Sequence, residues 1–203
     1  MLTLFWSARS PFARKVMVAA HELGIAERIE TVRVVVSGTA PNEAVLRHNP
    51  LGQIPTLLLE DGTALFDSAV ILDFLDHAFG GQRLIPRDAA RRFAVLRLQA
   101  IGDGIMENSV RRLGERSRGA LGSAPHAEGH RLKIGRALDR VEQEVASLAG
   151  VDAGSIAVAC GLGHLDFRFG DDDWRATRPC LAAWYAEFSA RPSMQATAHR
   201  DER

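Results

Sequence analysis

The sequence has few cysteines and no net charge. Among its 203 residues are two cysteines, Cys160 and Cys180, and 25 basic residues balance 25 acidic ones. Two cysteines cannot form the disulfide framework of a small secreted protein, so we expect free thiols in a reducing cytoplasm. The balanced charge gives no electrostatic reason to expect nucleic acid or an anionic membrane as a partner.

Long apolar runs and metal-ligand spacings are also missing. Because no run of about 18 apolar residues occurs, we expect no transmembrane helix. The first residues lack the basic and apolar regions of a signal peptide. None of the seven histidines has metal-ligand spacing beside cysteines or carboxylates, which predicts no metal site. His164 lies in an apolar segment and is expected to be a satisfied core or cleft histidine.

The first 80 residues predict alternating strands and helices. Ser10 is a good helix N-cap, and Pro11 suits the first turn of the helix that follows. A β-α-β crossover requires parallel strands, and the Asp61-Gly62 hairpin requires antiparallel ones, so a mixed four-stranded sheet is expected. Strands are predicted at 2–6, 29–36, 56–59 and 64–66, and helices at 11–23, up to about 48, and 67–79.

Everything after the Gly/Pro-containing linker at 80–87 has helical periodicity. We therefore predict two domains, an α/β domain at 1–80 and an all-helical domain at 87–203. The tail after Pro192 is polar and is expected to fray. Helices are predicted at 88–118, as one long helix or a broken pair, and at 127–148, 155–169 and 179–190.

The segment Asn49-Pro50-Leu51-Gly52-Gln53-Ile54-Pro55 is rich in turn signals. Proline forces the residue before it out of the helical region, and Gly52 permits a second bend. Pro55 stands at the head of an apolar strand, where a missing N–H group is tolerated. We interpret Ile54-Pro55 as a candidate cis peptide bond, with a plain trans loop as the alternative.

Three segments together resemble the glutathione transferase superfamily. Residues 49–57 resemble its N-P-x-G-x-(I/V)-P motif, residues 65–71 its (E/D)-S-x-A-I segment, and residues 5–16 the strand-loop-helix that carries its catalytic residue. The resemblance implies a thioredoxin-like α/β domain followed by an all-α domain. It also implies a cytoplasmic homodimeric transferase with a role in detoxification, with glutathione as co-substrate and no metal.

The same resemblance implies roles for five residues in binding glutathione. The backbone of Ile54 would pair with the cysteinyl part, with Pro55 as the cis proline. Asp67 and Ser68 would bind the γ-glutamyl end, and Gln53 would lie near the glycyl end. Independently of any family, an open backbone edge and a helix N-terminus suit an extended peptide that carries a carboxylate. Asp67 and Ser68 are also ordinary helix-start residues, and the two roles are compatible.

The resemblance places the catalytic residue at Ser10, which directly precedes Pro11-Phe12 as in the tau-like and omega-like classes. Ser7, earlier in the same loop, is the alternative. Because no cysteine lies in this loop, thiol exchange is disfavoured. We expect Ser10 to donate a hydrogen bond to the glutathione thiolate and not to act as a nucleophile.

Expectations beyond this pocket depend on the helical half. The wall of a site for a small hydrophobic electrophile is predicted from residues of the long helix at 88–118. The alternatives to a transferase are a non-catalytic glutathione- or partner-binding protein and a glutathione-dependent isomerase, although the isomerase's Ser-Ser-Cys-like loop is missing. The predicted electrophile-site residues are Met106, Asn108, Ser109 and Arg112.

Two further expectations concern single helices. Arg14 and Lys15 on the first helix are expected to form a solvated or interface face. Ser155 keeps the cap of the family's S/T-x-x-D box, but Val158 stands where the carboxylate belongs, which indicates a divergent branch.

Overall fold

The protein is described by a computed structural model that covers residues 1–201. A four-stranded sheet with its helices is followed by a bundle of longer helices. The elements in chain order are β1 (Leu2–Trp6), α1 (Pro11–Glu22), β2 (Ile29–Arg33), α2 (Glu43–Leu46), β3 (Thr56–Leu58), β4 (Ala64–Leu65), α3 (Ser68–Leu75), α4 (Ala89–Ser117), α5 (Ala124–Gln143), α6 (Ala153–Arg168), α7 (Pro179–Ser189) and α8 (Pro192–Ala196).

The sheet has the order β2-β1-β3-β4. β1 pairs in parallel with β2 and antiparallel with β3, and β3 pairs antiparallel with β4. The predicted thioredoxin-like mixed sheet followed by helices is therefore confirmed. The sequence predicts that β2 reaches residue 36, but β2 ends at Arg33. Arg33 is paired with Trp6, the last residue of β1, so the residues that follow have no strand to pair with and Val35 is 66% exposed.

Helix α1 lies between the sheet and the helical half, so little of its surface is open to water. Its apolar residues pack in the core, and its polar Arg14 and Lys15 are 7% and 0% exposed. The prediction of a solvated face for these two residues is wrong. Lys15 Nζ forms an ion pair with Asp103 Oδ1 of α4 at 2.6 Å, and Arg14 donates a hydrogen bond to the Met194 carbonyl at 3.0 Å.

The linker region is packed against the sheet's last helix. The Asp76 carboxylate accepts hydrogen bonds from the backbone N–H groups of Arg83, Leu84 and Ile85 at 3.1, 3.1 and 2.7 Å. The division into domains at 80–87 stays a prediction. Residues 202 and 203, the end of the predicted second domain, lie outside the described residues.

Helix α6 runs through the middle of the helical half. Its residues from Ala153 to Leu165 are buried, as the apolar run from residue 155 predicts. No helix within residues 1–201 combines the length and the apolar character needed to cross a membrane.

The cap of α6 differs from the predicted one. The N-cap is Asp152, whose carboxylate accepts the Ser155 N–H at 2.8 Å, and the Ser155 hydroxyl accepts the Asp152 N–H at 2.9 Å. The capping box is therefore complete. The carboxylate stands at the N-cap and the hydroxyl three residues later, the reverse of the S/T-x-x-D order. The prediction that Ser155 is the cap and the carboxylate is missing is wrong, because the N-cap lies three residues earlier, at Asp152.

From Pro192 to residue 201 the tail is held by packing, so the prediction of fraying is wrong for these residues, while residues 202 and 203 lie outside the described part of the chain. Pro192 begins α8, Met194 is 1% exposed, and Arg191 is paired with Glu22 of α1 at 2.8 Å. A polar sequence can still dock where a few apolar and charged contacts are well placed.

Close approach of α4 and α6 depends on glycine at position 102. A Cβ there would lie 2.4 Å from the Ala157 carbonyl carbon, which is backbone and cannot move alone. We expect Gly102→Ala to force the helices apart and lower the free energy of unfolding by about 1–3 kcal/mol, the usual cost of overpacking. Chemical denaturation measures this change.

The matched control is Gly104→Ala on the same helix, where no atom lies within 4 Å of the added Cβ. There, alanine's better helix propensity should leave stability unchanged or raise it by up to about 1 kcal/mol. Equal effects of the two substitutions would contradict the account of this helix crossing.

Candidate functional site

The register of the sheet brings three predicted segments to one edge. Phe5 is paired with Thr56, so the loop after β1 lies beside the start of β3. Leu57 is paired with Leu65, so the chain leaving β4 also ends at this edge. The Ser7–Ser10 loop, Ile54-Pro55 and Asp67-Ser68 therefore lie together at this edge, which is called the sheet edge below.

The buried side chain of Asn49 organises the loop before β3. Its Nδ2 donates to the Gln53 carbonyl and to Thr56 Oγ1, both at 3.0 Å, while its Oδ1 accepts the Leu51 N–H at 3.0 Å. Gly52 has φ +62°, the left-handed bend for which glycine is suited. Sequence reasoning assigned Asn49 only to a turn and missed that it ties both ends of the loop together.

Ile54 lies just before the start of β3, so its backbone is outside the strand. Neither ladder of β3 includes it, and its half-buried side chain packs against the small apolar cluster of Phe5, Val34 and Val45. The Ile54-Pro55 bond is cis, as predicted. Gln53 beside it is exposed.

Asp67 and Ser68 form the start of α3. Asp67 is the N-cap and accepts the Ala69 N–H at 3.0 Å, and the peptide bond before Asp67 is cis. Ser68 is 1% exposed, whereas Asp67 is exposed to solvent. The N–H groups of the first turn and the positive end of the helix dipole thus face the same edge as Ile54.

The loop between β1 and α1 is a tight turn from Ser7 to Ser10. The Ser10 N–H donates to the Ser7 carbonyl at 3.0 Å, and the Ser7 hydroxyl accepts the Arg9 N–H at 3.3 Å. The Ser10 hydroxyl accepts the Ala13 N–H at 3.2 Å and caps α1. Each hydroxyl used in this way as an acceptor still has its own proton to donate.

An ion pair that the sequence did not predict lies near this edge. Burial raises the pKa of Asp103, the charge of Lys15 opposes that shift, and the negative charge of Asp67 adds to it. An ion pair at 3.7 Å between Asp73 of α3 and Arg92 of α4 brings these two helices together. No local pattern reveals the pair of Lys15 and Asp103, because its partners are 88 residues apart.

The four residues predicted to form an electrophile wall are not brought to one surface. Met106 and Ser109 are fully buried. Asn108 is hydrogen bonded to His130 Nδ1 at 2.9 Å, and Arg112 pairs with Asp172 at the edge of a cavity of about 340 Å³ between α4, α5 and the segment before α7. Met106 and Ser109 therefore cannot contact a ligand in this conformation.

Ser109 is part of a buried polar group behind the Ser7–Ser10 turn. Its Oγ and His164 Nδ1 lie 2.8 Å apart and share a hydrogen bond. The expectation that His164 is a satisfied core histidine is confirmed. Burial, with the nearby charges of Arg168 and Arg14, lowers the pKa of His164 to about 3.

The lowered pKa of His164 predicts acid lability. The unfolded chain binds a proton at this histidine below about pH 6.5, whereas the folded chain does so only near the folded pKa of about 3. The free energy of unfolding therefore decreases as the pH is lowered from about 6.5 towards the folded pKa of about 3, by up to about 1.4 kcal/mol per pH unit. Replacing His164 with Asn should flatten the pH dependence of the unfolding free energy below pH 6, and parallel curves would contradict this.

A metal site is not apparent in the part of the chain that the structure describes. Residues 1–201 contain no group of three or more His, Cys, Asp or Glu side chains that could hold a metal ion.

The fold and this edge define a thioredoxin-like protein with an appended helical half, and comparisons with known proteins agree. The family description "Glutathione S-transferase, N-terminal domain" matches residues 9–78. An uncharacterised GST-like protein of Escherichia coli (strain K12), YibF, is 30% identical over 201 residues, covering 97% of this chain and 98% of that protein.

Two solved structures are more similar still. A glutathione transferase family member from Pseudomonas fluorescens Pf-5 with bound glutathione is 46% identical and has a TM-score of 0.96, covering 99% of this chain and 100% of that one. A structure of a family member from the same organism with bound S-(propanoic acid)-glutathione is 45% identical with a TM-score of 0.88, covering 98% and 100%. The chain belongs to the glutathione S-transferase family.

Proposed function

We propose that this chain binds glutathione at the sheet edge and activates its thiol for attack on a small hydrophobic electrophile. The observation that carries the proposal is the convergence of three features there: the open backbone of Ile54 before a cis proline, the start of α3 at Asp67-Ser68, and the serine-bearing start of α1. An extended peptide can pair with the first, place a carboxylate at the second and direct its sulfur at the third.

The roles follow from the groups that each residue presents. Ile54 pairs by its main chain with the cysteinyl residue, Asp67 and Ser68 hold the γ-glutamyl end, and Gln53 lies toward the glycyl end. Asp67, a carboxylate, suits the ammonium group of that end, whereas the N–H groups of the α3 start suit its carboxylate.

Activation of the thiol requires stabilisation of its anion. A thiol has a pKa of about 8.5, and lowering it by about two units corresponds to roughly 2.7 kcal/mol. A hydrogen bond to a charged group contributes about 1.5–3 kcal/mol, and a helix N-terminus adds a favourable dipole. Because Ser10 is the N-cap of α1, its hydroxyl donor and the positive end of the helix dipole lie at one position. Ser7 is the alternative donor.

The ligands of the relatives support this proposal. One related structure holds glutathione and another holds glutathione with a propanoic acid group on its sulfur. The second is a thioether of the kind that glutathione forms when its thiolate attacks an electrophilic carbon.

The test is calorimetric titration with glutathione, followed by activity with aryl halides, peroxides and isothiocyanates. We expect saturable binding and turnover of at least one electrophile class. Because the short loop carries no cysteine, we expect no thiol exchange with mixed disulfides. Binding without any turnover would favour the non-catalytic alternative, and absence of binding would overturn the proposal.

We further propose that the protein is a cytoplasmic homodimer that acts in detoxification. Val70 on α3 and Phe93 on α4 are 48% and 69% exposed, and the Asp73–Arg92 ion pair joins the two helices that carry them. Exposed apolar side chains on adjoining helices suit a subunit interface. Light scattering should give twice the monomer mass, and a monomer would contradict the dimer.

A further inference from the structure

The segment formed by residues 197–201 lies against the turn that carries both candidate serines. His199 Nδ1 is 2.8 Å from the carbonyl oxygen of Ala8, and Asp201 Oδ1 is 3.0 Å from Arg9 Nε. Ala8 and Arg9 are the two central residues of the turn whose ends are Ser7 and Ser10. The segment therefore contacts the middle of the turn, between the two serines.

The ring of His199 is held from the other side by helix α6. It stacks on Phe167 with the ring centres 5.1 Å apart and the planes 8° from parallel. It also meets the edge of His164, with the centres 5.5 Å apart, and His164 is itself hydrogen bonded to Ser109. The position of the imidazole is thus set by α6 and α4, independently of the turn.

The direction of the hydrogen bond follows from the partner. A carbonyl oxygen only accepts, so Nδ1 of His199 carries the proton and donates to Ala8. Burial lowers the pKa of His199 to about 4, so the ring is neutral near pH 7 and has this one N–H group. Its Nε2 is buried and has no hydrogen-bond partner among residues 1–201.

We propose that His199 is a positioning residue of the thiol site: by holding the Ala8 carbonyl, it fixes the Ser7–Ser10 turn and thereby the direction of the serine hydroxyl that meets the sulfur. The inference rests on the proposed function. Hydrogen bonds weaken steeply as their angle departs from linear, so rotation of the turn's central peptide would misdirect the hydroxyl without removing it. The helical half thus acts on the thiol through a contact that does not touch glutathione.

Two substitutions separate the donor from the ring. His199→Phe keeps an aromatic ring for stacking on Phe167 and removes the N–H donor. His199→Asn loses the ring but keeps an N–H group close to the position of Nδ1. His126→Phe, at an exposed histidine near the start of α5, is the control for a general histidine-to-phenylalanine effect.

The experiment measures kcat, KM for glutathione, the thiol pKa from the pH–rate profile, and the thermal midpoint of each variant. We expect His199→Phe to lower kcat by roughly five- to tenfold, the effect of about one hydrogen bond, and to raise the thiol pKa. KM should change less than kcat, because the tripeptide is held elsewhere. His199→Asn should restore most of both values, and His126→Phe should match the wild type.

The outcomes separate the positioning role of His199 from the proposed binding and activation of glutathione. If His199→Phe keeps the wild-type thiol pKa and kcat, or loses activity only in proportion to its unfolded fraction, the positioning role is wrong and the proposed function stands. If the wild type itself neither binds glutathione nor lowers its thiol pKa, the proposed function fails and this inference fails with it.

Discussion

Replacing Ser10 with Ala is expected to lower kcat by roughly 10- to 100-fold and to raise the thiol pKa of bound glutathione by about one unit. These magnitudes follow from the loss of one hydrogen bond to a charged group, worth about 1.5–3 kcal/mol. The Ser10 hydroxyl accepts the Ala13 N–H and keeps its proton for the sulfur. The pH–rate profile with the best electrophile of the panel measures both quantities.

Ser10 is also a helix cap, so a loss of stability must be separated from a loss of chemistry. The substitution to Ala should cost about 1 kcal/mol of stability through the cap alone, whereas Asp caps as well as Ser. Ser10→Asp should therefore keep the wild-type thermal midpoint, yet lose at least as much activity, because it has no proton to donate and repels the thiolate. An unchanged rate–pH profile in Ser10→Ala would refute the role of Ser10, and Ser7→Ala would then be expected to show it.

Replacing Asp103 with Leu is expected to produce the largest loss of stability. Lys15 is completely buried and its Nζ lies 2.6 Å from Asp103 Oδ1. Removing the carboxylate leaves a buried ammonium group without a counter-charge, which costs about 3–5 kcal/mol. For a chain of this length that loss corresponds to a fall in the thermal midpoint of roughly 6–15 °C.

The reverse substitution should cost less. Lys15→Met leaves Asp103, whose side chain is 26% exposed and whose pKa is already raised by burial, so water and protonation relieve its charge. The double variant should recover most of the loss, since an apolar pair can replace a buried ion pair. Glu107→Leu, which removes an exposed ion pair with Arg111 on the same helix, is the control and should change stability by less than about 1 kcal/mol. Strictly additive effects of the two single substitutions would contradict a direct coupling.

Features that depend on local chemistry were predictable from the sequence. Pro50, Gly52 and Pro55 each restrict the backbone in a known way, and the loop they predicted is present with its cis bond. The starts of α1 and α3 followed from Ser10-Pro11 and Asp67-Ser68, because capping depends on residues within one turn. The mixture of parallel and antiparallel strands followed from the crossover and the hairpin, whereas the strand order β2-β1-β3-β4 was not predicted.

Features that depend on distant partners were not predictable. Lys15 looks like a surface residue until α4 brings a carboxylate to it across 88 residues. His199 lies in a polar tail, and nothing near it in sequence indicates that its ring would reach Ala8, 191 residues away. The prediction of the α6 cap failed for a different reason. Asp152 and Ser155 are both good N-cap residues and lie three residues apart, so the pattern alone cannot choose between them.

The central claim is that the sheet edge holds glutathione and keeps its sulfur charged, and ultraviolet absorbance of the bound thiolate across a pH series tests it most directly. We predict that the bound thiol titrates about one to two pH units below the value of about 8.5 for a free thiol. A bound thiol that titrates like the free peptide, or no saturable thiolate signal at any pH, would contradict the account.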